Sequence, residues 1–189
     1  PQSISFGEPS LEAIIRDSLG LSASEPITVE AAGSLTALRA RDKYISNLQG
    51  LLYLSNLEYL NIGNNDISDI TAVRSLTSLQ WLAIDRNLLG PDTAAASLAP
   101  LSGLTSLRTL NLWNNNIRDL SPLQKLTNLT KLQAWVNDIS NLQPLANLTA
   151  LDTLGLGDNP ISDISALQNL TNLRWLSLEN DSVYNISPL

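Results

Sequence analysis

Residues 107–120 read Leu107-Arg108-Thr109-Leu110-Asn111-Leu112-Trp113-Asn114-Asn115-Asn116-Ile117-Arg118-Asp119-Leu120, and the spacing of their apolar residues decides the fold. The pattern L-x-x-L-x-L-x-x-N begins at Leu107 and returns at Leu35, Leu57, Leu79, Leu129, Leu151 and Leu173. Successive starts lie 22, 22, 28, 22, 22 and 22 residues apart. Self-similarity at a fixed period is the signature of a stacked-repeat architecture. The second leucine of each unit is Leu38, Leu60, Leu82, Leu110, Leu132, Leu154 and Leu176. The third apolar site is Ala40, Ile62, Ile84, Leu112, Ala134, Leu156 and Leu178.

Each half of the unit has a local reading. The alternation L-x-L predicts a short strand with one face in the core and the other outward. Stacked units then form a parallel sheet with strands about 4.8 Å apart. The residue after each strand is Asn65, Asn87, Asn115, Asn137 or Asn159. An amide both donates and accepts, so these residues are expected to form a ladder with the backbone of neighbouring turns. Lys43 and Asp181 replace the asparagine in the first and last units, which is expected to weaken the ladder at its ends. The second half reads as in Ile67–Leu76, with apolar spacings of three to four that predict a short helical or 3-10 turn on the convex side. Asp or Asn at 47, 69, 119, 141, 163 and 185 stands where a side chain caps that turn. Calcium binding by this acidic row is the weaker alternative.

Two stretches depart from the period. Residues 9–20 place Leu11, Ile14, Ile15 and Leu19 on one helical face, with Ser10 as the expected N-cap and Gly20 as the stop. With Ile27 and Val29 this helix is expected to cover the open end of the first repeat, as solenoids require. The third unit carries six extra residues around Gly90–Leu98, expected to bulge from the convex side as a tolerated insertion. The expected organisation is a helical cap over 1–34 and seven repeats over 35–189, the last truncated, with the insertion around 88–100. The chain begins at Pro1 and stops within a repeat unit, so the parent polypeptide is expected to extend further.

Composition removes several function classes. Cysteine and histidine are absent, which leaves no disulfides, no thiolate or imidazole metal site and no His-based triad. Formal net charge is -7, which disfavours attraction to nucleic acid or anionic membrane. No apolar run approaches the roughly 20 residues of a membrane-spanning helix, and no signal peptide is expected in this stretch. No nucleophile–base pair, phosphate loop or metal cluster appears, so no enzyme, catalytic residue, metal or cofactor is expected. Five Asn-x-Ser/Thr sequons, at Asn128, Asn147, Asn169, Asn180 and Asn185, read as by-products of repeat joints.

The repeat body 107–120 matches closely the leucine-rich repeats of bacterial internalins. The segment Phe6-Gly7-Glu8-Pro9-Ser10-Leu11-Glu12-Ala13-Ile14-Ile15-Arg16 is similar to the helical cap that precedes such repeats. The resemblance spans essentially the whole chain. It implies an α/β leucine-rich-repeat solenoid: a curved right-handed array with a concave parallel sheet, convex 3-10 or short helical turns and an N-terminal helical cap. It also implies a secreted or cell-surface bacterial protein whose concave sheet binds macromolecules. The insertion departs from the family's regularity, and no immunoglobulin-like module of the kind that follows internalin repeats is seen. Intracellular regulators of the phosphatase-regulator type share 22-residue repeats, which keeps a cytoplasmic scaffold as an alternative.

The register also yields the outward positions. Position three gives Ala37, Tyr59, Trp81, Thr109, Lys131, Thr153 and Trp175; position seven gives Arg41, Gly63, Asp85, Trp113, Trp135, Gly157 and Glu179. Position five adds Asn111 and Gln133, and position eight is also read as outward. All four tryptophans fall on this face. Tyr59 with Trp81, and Trp113 with Trp135, are adjacent pairs that either stack on each other or serve as a binding surface. The expected ligand site is Tyr59, Trp81, Asp85, Asn111, Trp113, Gln133, Trp135 and Trp175. Arg39, Arg41 and Lys43 read as a solvated patch. A protein ligand is expected for a monomeric module; a glycan, or a spacer role in a larger surface protein, are the competing readings.

Overall fold

The computed structural model describes residues 2–90 and 98–189. The sequence-predicted insertion between Gly90 and Leu98 thus falls almost wholly outside the described residues. Two helices, α1 (Pro9–Ser18) and α2 (Val29–Gly33), precede seven strands. The strands are β1 (Ala37–Arg39), β2 (Tyr59–Asn61), β3 (Trp81–Ala83), β4 (Thr109–Asn111), β5 (Lys131–Gln133), β6 (Thr153–Gly155) and β7 (Trp175–Ser177). They form one parallel sheet in strict sequence order, each residue paired with its counterpart in the next unit, as Tyr59 is with Trp81. The chain is a leucine-rich-repeat solenoid, and its fold is the one the 22-residue period implies.

The core is a column of identical layers. Leu38, Leu60, Leu82, Leu110, Leu132 and Leu154 are all buried in one continuous cluster. In the seventh unit Leu173, Leu176 and Leu178 are only partly buried, because no further layer covers them among the described residues. Short 3-10 turns, such as Thr71–Ser75 and Ser165–Leu167, return the chain on the convex side.

The asparagine ladder forms as its chemistry requires. Asn137 Nδ2 donates to the carbonyls of Leu112 (3.0 Å), Ala134 (3.1 Å) and Trp135 (3.1 Å), while its Oδ1 accepts from the Ile117 N–H (3.0 Å). Asn65, Asn87, Asn115 and Asn159 repeat the arrangement, and all five are buried. The ends are joined rather than lost: the Lys43 N–H donates to Asn65 Oδ1 (3.0 Å), and the Asn159 N–H donates to Asp181 Oδ1 (2.7 Å). The convex Asp and Asn row caps the turns from one residue before the N-cap. The Thr71 N–H donates to Asp69 (2.7 Å), Ser121 to Asp119 (2.8 Å) and Ser165 to Asp163 (2.9 Å). The Asp69 carboxyl is held below its ordinary range by bonds from the Thr71 hydroxyl and then the Thr71 N–H. Asp163 is lowered likewise by Ser165, chiefly through the backbone N–H.

The amino-terminal cap differs from expectation in three ways. Ser10 lies inside α1; the N-cap is Glu8, and Pro9 opens the helix, where its missing N–H costs nothing. Glu8 turns its carboxylate instead to the first repeat, accepting from the Ser46 and Asn47 N–H groups (3.2 and 3.3 Å). Val29 does not cover the core: it starts α2, a helix not foreseen from the sequence, and is 36% exposed. Leu11, Ile15 and Ile27 do the covering, and Gly20 ends the region at φ +67° as expected.

Candidate concave recognition face

Each strand is only three residues long, so positions three and five point outward from the sheet while position seven lies just past it. Position eight lies past the strand and is exposed in every unit. Asp42, Asn64, Arg86, Asn114, Val136, Asp158 and Asn180 there all take φ between 51° and 60° and make the turn into the ladder asparagine. The left-handed region suits Asn and Asp and disfavours β-branched side chains. Val136 is therefore the outlier of the row.

The eight expected site residues lie along this side of the sheet in three separate groups. Tyr59 and Trp81 stack with centroids 4.3 Å apart and planes 12° apart, and the Arg39 guanidinium lies 4.7 Å from the Tyr59 centroid. Arg39 thus belongs to an aromatic stack rather than to a solvated patch.

The second group is polar. Asp85 is only 1% exposed, so it is not a contact residue. Arg41 reaches it from β1's end across Gly63, with Nη1–Oδ1 and Nη2–Oδ2 distances of 2.9 Å. A Cβ at position 63 would overlap both partners, which is why glycine stands there. Asn111 Nδ2 donates to the same Asp85 Oδ1 (3.3 Å), and Asn111 Oδ1 accepts the Trp113 N–H (3.0 Å). Arg41 is a structural ion-pair partner, not a solvated charge. Its pKa is raised further by the bond to Asp85.

The third group carries the remaining tryptophans. Trp113 does not stack on Trp135; the Arg86 guanidinium sits over it at 4.4 Å. Trp135 instead leans across β6 and stacks with Trp175, centroids 5.8 Å apart at 18°. Gly155 makes this possible, since a Cβ there would overlap Trp135 Nε1 and Cδ1 and crowd Gln133 Oε1. Trp175 is 43% exposed and Val136 38% exposed, while Tyr59, Trp81, Trp113 and Trp135 are half-buried. Trp135 Nε1 is buried with no hydrogen-bond partner.

Register places Arg39, Arg86, Val136, Gly63 and Gly155 on this face, but the expected site left them out. Signals existed: valine breaks a row otherwise of Asn, Asp and Arg, and glycine interrupts rows of larger residues.

This geometry defines a solenoid of the leucine-rich-repeat class. The family model described as "Leucine Rich repeats (2 copies)" matches residues 105–147 and 127–169, and "Leucine Rich Repeat" matches 56–76. The crystal structure of internalin C2 from Listeria monocytogenes is 33% identical, with all of this chain aligned to 95% of that one at a TM-score of 0.76. The chain belongs to the bacterial internalin-type leucine-rich-repeat family. Internalin F of the same organism is 29% identical over 97% of this chain and 72% of that one, at a TM-score of 0.44. A leucine-rich-repeat protein of Leptospira interrogans shares the fold, at 24% identity over 82% of this chain and 40% of that one, TM-score 0.73. No curated protein matches the chain in sequence. Among the described residues no helix is long and apolar enough to cross a membrane.

Proposed function

We propose that the chain is a non-catalytic recognition module, secreted or displayed on a bacterial surface, that binds a protein partner through the concave face. The observation that carries this reading is the placement of all four tryptophans and Tyr59 on that face, none of them in the leucine core. A scaffold needing only to fold gains little from large rings there, whereas aromatic anchors contribute about 2 kcal/mol or more each at protein interfaces. Tyr59, Trp81, Trp113, Trp135 and Trp175 are the contact residues; Gln133 and Asn111 flank them, and Asp85 positions them.

Each of these rings has a stacking ring or a guanidinium on one face, which holds it in place for a partner. The test is capture from a library of displayed extracellular protein domains, with a glycan array in parallel. Joint substitution Trp81→Ala, Trp113→Ala, Trp135→Ala is expected to abolish capture while the circular dichroism stays that of the native chain. Undiminished capture rejects the reading, and binding confined to the glycan array rejects its protein half.

A further inference from the structure

The asparagine ladder ends on a residue that cannot complete it. One rung earlier, Asn159 Nδ2 donates to the carbonyls of Ala134 (3.0 Å), Leu156 and Gly157 (3.2 Å). Asp181 follows Asn159 by one repeat, so the counterpart carbonyls are those of Leu156, Leu178 and Glu179. A carboxylate has no hydrogen to give them. Its Oδ1 accepts the Asn159 N–H (2.7 Å), and its Oδ2, in the place of the amide nitrogen, is sealed from solvent with no partner. An acceptor buried among acceptors is unfavourable, whereas a protonated Oδ2 supplies the missing donor.

No cation relieves this group. Asp158 acts on it from the sixth unit, and Glu179 stands two residues before it in its own. On the convex turn of the sixth unit, Asp163 is spent on the Ser165 N–H (2.9 Å). Lys131 opens β5 and Arg174 immediately precedes β7, so both lie at the strand starts while Asp181 lies past the strand end. Among the described residues neither is ion-paired with any of these acids. Burial pushes the Asp181 pKa up, against the lowering bond from the Asn159 N–H, and the Asp158 charge adds to the rise.

The repeat that carries Asp181 is also the least enclosed. Leu173, Leu176 and Leu178 are partly buried where their sixth-unit counterparts Leu151, Leu154 and Leu156 are wholly so. On β7, Trp175 stacks against Trp135. Elements with little burial open locally at low cost in free energy. We infer that Asp181 makes the seventh repeat a proton-operated clasp. With its carboxyl protonated the repeat is closed on the sixth and Trp175 is held against Trp135; with it ionised, the repeat opens in a larger share of molecules. Closure is favoured in acid and lost as pH rises through the raised folded value. The inference does not depend on what the concave face binds.

The test is hydrogen exchange along the whole chain, corrected for intrinsic rates, from about pH 4 to neutral. Protection of residues 173–182, relative to the fourth and fifth units, is expected to rise about fivefold on acidification, the factor of one buried hydrogen bond regained. Asp181→Asn, which restores the residue of the five preceding rungs, should be well protected at every pH, with a flat profile. Asp181→Ala should be poorly protected and equally flat. The near-ultraviolet dichroism due to Trp175, taken as the difference from Trp175→Ala, should follow the native exchange profile. A flat native profile overturns the inference, as does a pH response in either Asp181 variant as steep as the native one. Dichroism that stays constant while the exchange responds overturns the part assigned to Trp175.

Discussion

Arg41 grips Asp85 across the intervening strand, through a bidentate pair of 2.9 Å contacts that passes over Gly63. Asp85 then accepts from Asn111, and Asn111 accepts from the backbone of Trp113, so one polar strap links β1 to β4. It fixes the floor between the two aromatic groups. Arg41→Ala leaves the carboxylate buried with a single weak amide donor, and about 2–3 kcal/mol of stability should be lost. Removing both partners, as Arg41→Ala with Asp85→Ala, should cost clearly less than the sum of the single losses. Denaturant melts of the four chains measure this. Strict additivity means the pair is not coupled.

Gly155 holds its place for a different reason: the Trp135 indole occupies the volume a side chain would need. Gly155→Ala should lift the ring out of the floor, break its stack with Trp175 and cost roughly 1–3 kcal/mol through overpacking. Tryptophan emission should move to the red and near-ultraviolet dichroism should fall. Unchanged spectra would place the indole elsewhere.

The ladder predicts larger losses than the surface. Asn137→Ala removes the donor to three carbonyls and the acceptor for the Ile117 N–H, all in the interior. Leaving several buried groups unpaired should cost on the order of 3 kcal/mol or more. Asn114→Ala, one turn back and exposed, changes no ladder bond and should cost far less. Equal losses for the two would contradict the ladder's role.

The scaffold was legible because its signals are local and repeated: a leucine displaced by one position would expose itself in every layer. The caps on Thr71, Ser121 and Ser165 followed from the same repetition. Gly20 was readable as a stop because a positive φ has few other occupants. The details of the concave face were not legible, since they depend on reach between strands. Register makes Trp113 and Trp135 neighbours, but it does not say that Gly155 lets Trp135 lean the other way, towards Trp175. Nor does it say that Asp85 is consumed by Arg41, two strands away. Outward direction is a property of the backbone; exposure depends on what long side chains from neighbouring strands cover. Ser10 failed as a cap for a related reason, because Pro9 fills the first helical position and shifts the start.

Asp181 takes the ladder position of the last repeat, where five earlier units have asparagine. Its Oδ1 accepts the Asn159 N–H, but its Oδ2 is buried without a partner where an amide would donate. Burial raises its pKa above the ordinary 3.8, the Asn159 bond opposes this, and the nearby Asp158 charge adds to it. The sign follows directly. The unfolded chain releases this proton at lower pH than the folded chain does, so the stability it contributes is present below the unfolded value and lost as pH rises through the folded one. Asp69 and Asp163, whose values are lowered, work in the opposite direction, and a difference between two chains that share them cancels their part. Asp181→Asn supplies the missing donor and removes the ionisation, so it should stabilise the chain by about 1 kcal/mol at neutral pH. That advantage should shrink as pH falls through the acidic range, because the protonated aspartate regains a donor of its own. Melting temperatures of both chains across pH test this, and a gain that grows on acidification would mean that Asp181 is better satisfied as a carboxylate than its burial allows.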